Sequence, residues 1–345
     1  MLEHARRGDA GAFNQLTRPH RRELRVHCYR MLGSFHDADD ALQDTLLAAW
    51  QHLADFQDRA SIRTWLYRIA TNKCLDVRRS ARRRAAREWN VPGVAPLEPS
   101  GLGELPWLEP YPDSLVDPAQ TSLEPAVRYE RHEAISLAFV TALQVLPPRQ
   151  VAVLVLRDVL GFPAADVARM LDATVESVNS ALKRARAGLR RRQATGDAHP
   201  PAPLPGSGTE RAILDRFIRA WESADIGGLV SVLCDDVVIA MPPMPYEYQG
   251  RDLVAEFCGR LFAAGRRFHL VPTGANGQPA FGAYLRAPDG RGDGAGLYVL
   301  TLAGDRIRAM TRFEHTVLPA FGLPPSIRLP PGPTAAVGRP RPAGP

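Results

Sequence analysis

The chain has 345 residues, enough for two or three domains, and a formal net charge of +6. The cationic excess is clustered, which points to polyanionic partners such as nucleic acid. Four cysteines, Cys28, Cys74, Cys234 and Cys258, form no CxxC pair and have no histidine at zinc-finger spacing. That pattern excludes a disulfide scaffold and leads us to expect buried or idle thiols with no metal and no cofactor.

No apolar run approaches the ~20 residues a membrane span needs. The first residues, MLEHARRGDAGAF, lack the apolar core of a signal peptide. A soluble, cytoplasmic protein with no membrane partner is therefore expected.

Residues 10–87 read as all helix. Phe13, Leu16, His20, Leu24, His27, Cys28, Met31 and Leu32 recur at helical spacing, and Gly33 stops the run. In DADDALQDTLLAAWQHLADF the residues Leu42, Leu46, Ala49, Trp50 and Leu53 keep one apolar face. Asp37, Asp39, Asp40, Gln43 and Asp44 gather at the N-terminal end, where acids suit the helix dipole.

A third helix starts near Ser61. Ile62, Leu66, Ile69, Ala70, Cys74 and Val77 form its core face. Arg63, Tyr67, Thr71 and Arg78 line another face, flanked by Arg68, Asn72 and Arg79. Cations for phosphates, rings for unstacked bases and an amide for base edges suit partly single-stranded DNA. Trp65 fits either that surface or the core.

Residues 88–127 form an acidic, proline-broken linker around WLEPYPDSL. It carries Glu88, Glu98, Glu104, Glu109, Asp113, Asp117 and Glu124 and no lysine or arginine. DNA phosphates would repel such a strip. The alternative reading is a passive tether, with Trp107 and Tyr111 packed on a neighbouring domain.

Residues 128–195 hold a second helical unit. A helix with Val151, Leu154, Val155 and Val159 ends at Gly161. A short helix follows Pro163, and Asp172 and Ala173 make a turn. Thr174 then caps a helix expected to bury Val175, Val178, Ala181, Leu182, Ala185 and Leu189. That helix exposes Ser177, Asn179, Ser180, Lys183, Arg184, Arg186 and Arg190, the pattern of a helix-turn-helix with a basic recognition helix. Asp172 stands where the turn usually holds glycine, a mild departure because Asp tolerates left-handed backbone.

Residues 196–208, with HPPAPLPGSG, read as a second linker. Residues 209–327 read as α+β: two helices, then the strand-like runs VVIAM, RFHLVPT, PAFGAYLRA, GLYVLTLA and RIRAMTRFEH, with the helix RDLVAEFCGRLFAA among them. The Pro/Gly-rich tail 328–345 is expected to be disordered.

AFNQLTRPHRRELRVHCYRMLGSFHDADDALQDTLLAAWQHLADF, SIRTWLYRIATNKCLDVRR and LPPRQVAVLVLRDVLGFPAADVARMLDATVESVNSALKRAR, in that order, resemble regions 2.1–2.2, 2.3–2.4 and 4 of an extracytoplasmic-function (ECF) RNA polymerase sigma factor. WLEPYPDSL, VNSALKRAR and the extra C-terminal domain resemble the SigG-like subgroup with its SnoaL-like, NTF2-like cone.

The resemblance implies a multidomain protein: all-α regions 2 and 4, then an α+β cone. It implies core-polymerase contact through Asp37, Asp39, Asp40, Gln43, Asp44 and Trp50. It places the −10 element on Arg59, Ser61, Arg63, Trp65, Tyr67, Arg68, Asn72, Lys73, Arg78 and Arg79. It places the −35 element on Ser177, Asn179, Ser180, Lys183, Arg184 and Arg186.

The implied partners are core RNA polymerase (β′ clamp and β flap) and promoter DNA, with an anti-sigma factor or a small ligand of the C-terminal domain as further ones. The linker is implied to thread the polymerase interior. Candidate pocket polars of the cone are Tyr246, Tyr248, His269, Arg312 and His315. They leave open a regulatory domain or an enzymatic, ligand-sensing one. The implied function is a non-enzymatic initiation factor; a polymerase-independent helix-turn-helix repressor is the alternative.

Overall fold

A computed structural model describes residues 1–56, 60–80, 86–103, 105, 107–116, 133–193 and 199–329. Arg59, Glu104, Asp117, Glu124 and the tail from 330 lie outside the described residues.

The N-terminal unit holds α1 (Leu2–Arg6), α2 (Ala10–Thr17), α3 (Arg21–Leu32), α4 (Phe35–Gln51) and α5 (Ile62–Ser80). The helix expected from Phe13 to Leu32 is broken by a 3₁₀ turn, Arg18–His20, with Pro19 inside it. Proline has no N–H to donate, so it fits a first turn and not a helix interior. Gly33, at φ +72, ends α3, and the Ser34 side chain caps α4 by accepting from the Asp37 N–H. Leu24, Cys28, Met31, Leu42, Leu66, Ala70 and Cys74 interlock the three long helices.

His27 is fully buried at this helix junction, 2.9 Å from the Thr71 hydroxyl and edge-on to Tyr67. Burial, helped by the Arg30 charge, pushes its pKa down to about 3. Its folded pKa is thus below the unfolded value, so the unfolded chain binds the extra proton. Stability should be full above about pH 6.5 and fall by roughly 1.4 kcal/mol per pH unit below it. Urea midpoints measured across this range should drop with acid. His27→Gln should flatten that part of the profile.

The second helical unit holds α6 (Leu137–Gln144), α7 (Pro148–Leu154), α8 (Ala164–Met170) and α9 (Val175–Gln193). α7 runs on as a π turn, Val155–Val159, before Gly161 at φ +71. Asp172 takes φ +49 between α8 and α9, and Thr174 Oγ1 accepts from the Ser177 N–H at 3.2 Å. The expected helix-turn-helix is present. Val175, expected in its core, is instead 37% exposed, and its neighbours Thr174, Glu176 and Ser177 at the start of α9 are exposed too.

The C-terminal unit is an eight-stranded sheet wrapped around helices α10 (Gly208–Ser223), α11 (Ile226–Ser231) and α12 (Arg251–Ala263). Its order is β1-β3-β2-β7-β6-β5-β4, with β8 pairing β6. The strands are β1 (Gly101–Leu102), β2 (Leu233–Ala240), β3 (Tyr246–Gln249), β4 (Phe268–Ala275), β5 (Gln278–Arg286), β6 (Arg291–Ala303), β7 (Arg306–Phe313) and β8 (Ser326–Arg328). Among the described strands, β2 and β7 alone pair in parallel.

Three strands were not expected from the sequence. β1 comes from the first linker, and β3 and β8 are short. Arg328 pairs with Arg291, and the Leu329 N–H reaches the Gly290 carbonyl, so the ordered fold extends past the expected boundary at 327. His315, expected in a strand, lies exposed in a 3₁₀ segment, His315–Phe321.

Two apolar cores result. One lies inside the cone, around Trp221, Phe217, Phe268, Phe281, Tyr298 and Met310, and takes in Val91, Val94 and Leu97 of the first linker. The other is shared by both helical units, by Leu105, Leu108 and Tyr111 of the linker, and by the outer sheet face through Ala275, Tyr284, Leu297 and Phe313.

Candidate polymerase and promoter interfaces

The acidic stretch of α4 divides by its own geometry. Asp40, Gln43 and Asp44 are exposed along one side of the helix. Asp39 turns inward to Arg25 at 3.0 Å and also accepts from Gln43. Asp37 sits in the capped first turn of α4. Trp50 packs edge-on to Phe13 at 5.1 Å, half-buried. Leu47 is 56% exposed, one turn beyond Gln43 and Asp44. Sequence reading missed it, although an apolar residue continuing an acidic stripe was the visible signal.

The α5 face divides too. Arg68, Asn72 and Arg79 are exposed, and Arg79 pairs with Asp76 one turn away. Lys73 is half-buried. Ser61 caps α5 by accepting from the Thr64 N–H. Trp65 packs on Phe56 at 5.0 Å.

Arg63 and Tyr67, expected on a DNA surface, are engaged at the seam between the helical units. Tyr67 is fully buried, 5.2 Å from the Phe162 ring. The Arg63 guanidinium lies 4.9 Å from the Tyr67 ring and 5.0 Å from that of Phe162, while its Nε bonds Glu23. Arg78 donates to the carbonyls of Met31, Gln144 and Leu146, and burial lowers its pKa. Placing Tyr67 and Arg78 on an open surface is therefore corrected for this conformation: the second helical unit covers them.

On α9 the side chains of Ser177, Asn179, Ser180, Lys183, Arg184 and Arg186 all face solvent. Arg186 makes a two-pronged pair with Asp158 at 2.7 and 2.8 Å.

The acidic linker clasps the units together. Glu109 accepts from the Ser34 hydroxyl, the His36 backbone N–H and His36 Nδ1. Burial raises the Glu109 pKa, but these bonds outweigh it and hold the carboxyl below its ordinary value. Tyr111 is fully buried, 4.9 Å from the Tyr29 ring and 5.7 Å from that of Phe35, and Asp113 accepts from the Gly277 N–H.

At the centre lies Asn276, fully buried at φ +58 in the turn between β4 and β5. Its Oδ1 accepts from the Tyr111 N–H and its Nδ2 donates to the Tyr29 hydroxyl and the Ile135 carbonyl, each at 2.8 Å. Its own N–H donates to the Tyr111 carbonyl. One side chain thus joins the first helical unit, the linker, the start of the second unit and the sheet. Gln278 adds a bond from the Leu137 N–H. Sequence reading missed Asn276; an Asn-Gly pair in a hairpin was its only local signal.

The five candidate pocket residues have different surroundings. Tyr248 is buried and donates to the Leu97 carbonyl, and Tyr246 packs against Trp89. His269 pairs with Glu222 at 2.8 Å, Arg312 donates to the Ala295 carbonyl, and His315 is exposed. The linker itself lines the cone: Arg266 donates to the Pro92 carbonyl, and Glu314 accepts from Arg87 and Asn90. Among the described residues no helix is long and apolar enough to cross a membrane.

Two helical units with a basic recognition helix and an exposed acidic stripe, joined to an α+β cone, define a multidomain DNA-binding transcription factor. The Sigma-70 region 2 model matches residues 16–84, the Sigma-70 region 4 model residues 136–189, and the SnoaL-like domain model residues 214–310. The chain is 41% identical over 332 residues to the ECF RNA polymerase sigma factor SigG of Mycobacterium tuberculosis, covering 93% of this chain and 86% of that one. It is 35% identical over 184 residues to ECF sigma factor SigM of the same species, covering 53% of this chain and 78% of that one.

The crystal structure of M. tuberculosis ECF sigma factor SigJ shares the fold, with a TM-score of 0.57 at 19% identity over 92% of this chain and all of that one. The chain belongs to the ECF RNA polymerase sigma factor family, and it carries a C-terminal SnoaL-like domain.

Proposed function

We propose that the chain carries out its sigma-factor function, promoter-specific transcription initiation, by opening from the closed form described above. Asp40, Gln43, Asp44 and Leu47 contact core polymerase. The α9 residues Ser177, Asn179, Ser180, Lys183, Arg184 and Arg186 read the −35 duplex. Arg63, Tyr67, Arg68, Asn72, Lys73, Arg78 and Arg79 serve the −10 element once the seam parts. Work at the polymerase places the protein in the cytoplasm.

The observation that carries this reading is the asymmetry of exposure. The α4 stripe and α9 face solvent, while Tyr67 and Arg78 are sealed by region 4. The C-terminal domain acts as a clasp through Asn276 and the linker, which gives the chain a restraint built from its own residues. Its candidate pocket groups are spread over separate bonds, which supports regulation over catalysis.

Transcription with purified core polymerase tests the reading. The full chain should initiate from its promoters and bind duplex weakly alone. Lys183→Ala with Arg184→Ala should cut −35-dependent initiation roughly tenfold and make the salt dependence shallower by about one unit per lost phosphate contact. Tight duplex binding without polymerase, and no initiation with it, would favour the repressor alternative.

A further inference from the structure

We propose that His199, Cys234 and Asp236 form a binding site for a thiophilic divalent cation of the zinc type, which pins the second linker to the SnoaL-like domain. One potential ligand atom from each residue lies within 4.8 Å of the others, and His199 Nε2 is 2.9 Å from Asp236 Oδ1. Imidazole, thiolate and carboxylate together match the borderline-soft preference of zinc and are a poor set for calcium or magnesium. Three protein ligands leave a fourth position for water.

Two independent features position the donors. Cys234 and Asp236 lie two residues apart where β2 shifts register against β7, with Cys234 buried and Asp236 exposed, and their ligand atoms come together there. Asp235 between them is instead held by Arg251. His199 is placed by its neighbours: the Pro201 carbonyl accepts from the Gly304 N–H at 3.0 Å, and Pro200 lies over Gly304 so closely that a Cβ there would meet it at 2.7 Å. Gly304, at φ +56, admits that approach in the turn between β6 and β7.

The charges also fit. A thiolate and a carboxylate balance a divalent ion. Of the nearby cations, Arg251 is taken by Asp235 and the Leu233 carbonyl, and Arg306 by the same carbonyl.

His199 also lines a cleft of about 510 Å³ between α6, the second linker and the sheet, with Ser136, Thr141, Pro203, Gln278 and Thr301 on its walls. Cys234 and Asp236 do not line that cleft, so the cation would lie beside it, holding the second linker to β2. Sequence spacing hid the site, because 35 positions separate His199 from Cys234. The expectation of no metal site rested on that spacing and is revised by this proposal.

Chelator-stripped full-length protein, titrated with cobalt(II) and then zinc, tests the proposal. One equivalent of cobalt should give a thiolate-to-metal charge-transfer band and four-coordinate visible bands, both displaced by zinc. Cys234→Ser should abolish the charge-transfer band. His199→Gln and Asp236→Asn should each weaken binding by at least ~10-fold, and Asp289→Asn, in the turn between β5 and β6, should leave it unchanged.

Circular dichroism establishes that each variant is folded. No charge-transfer band at stoichiometric cobalt, a band that survives Cys234→Ser, or equal losses for Asp289→Asn and Asp236→Asn would each overturn the site.

Discussion

Replacing Asn276 by glycine is expected to raise promoter-specific transcription by the full chain, at limiting core polymerase, on the order of tenfold, while lowering its stability. Glycine keeps the positive φ without strain, so the change isolates the side chain. That side chain makes three buried hydrogen bonds, to the Tyr111 N–H, the Tyr29 hydroxyl and the Ile135 carbonyl. Removing it leaves those groups buried and short of a partner, which should cost on the order of 3 kcal/mol.

The bonds join regions 2 and 4 through the sheet, so most of that loss falls on the closed form. A ligand that needs the open form then binds more tightly, because less of its binding energy goes into opening. Fluorescence energy transfer between labels on α4 and α9 should show the separation directly. Lower stability with unchanged transcription and unchanged distance would mean that Asn276 is a packing element only.

How much of this arrangement could be read in the sequence depended on the range of the interaction. Helical period, Gly33, Thr174 and the basic run of α9 are local, and local signals placed both helical units and the recognition face. The left-handed Asp172 was legible because a short polar side chain can take that backbone. The burial of Tyr67 against Phe162 was not legible, since the two residues lie 95 positions apart and only tertiary packing joins them.

The contacts of the acidic linker were hidden for a related reason. Its carboxylates suggested avoidance of DNA, which is correct chemistry. Glu109 and Asp113, however, are used to accept bonds from His36 and Gly277, where a net-charge argument has no resolution. Its aromatic residues were the better guide: Tyr111 packs on a neighbouring domain, as the alternative reading of that strip required. In the cone, tyrosines and histidines suggested a polar pocket. Tyr246, Tyr248 and His269 have separate partners and His315 is exposed, since a strand's alternation fixes which face a residue takes but not what waits there.

Asp44→Arg combined with Leu47→Arg should abolish initiation at polymerase concentrations that saturate the native chain. Both side chains are exposed, and no described hydrogen bond or salt bridge involves either one, so the fold should tolerate the change within about 0.5 kcal/mol. At a docked surface the same change reverses one charge and buries another where an apolar group belongs. A loss of about 3 kcal/mol, roughly a hundredfold in Kd, is the expected scale.

Asp39→Asn offers the contrast. It removes the partner of Arg25 inside region 2 and should weaken the fold modestly, because that pair is only partly buried. Fluorescence anisotropy of labelled protein against core polymerase separates the two effects from stability measured in urea. The variant's −35 duplex binding, which uses α9, should be untouched. Unchanged affinity of the double variant for core polymerase would remove α4 from the interface. Lost affinity with intact stability and intact duplex binding would locate polymerase recruitment on the face that Asp40, Gln43, Asp44 and Leu47 share.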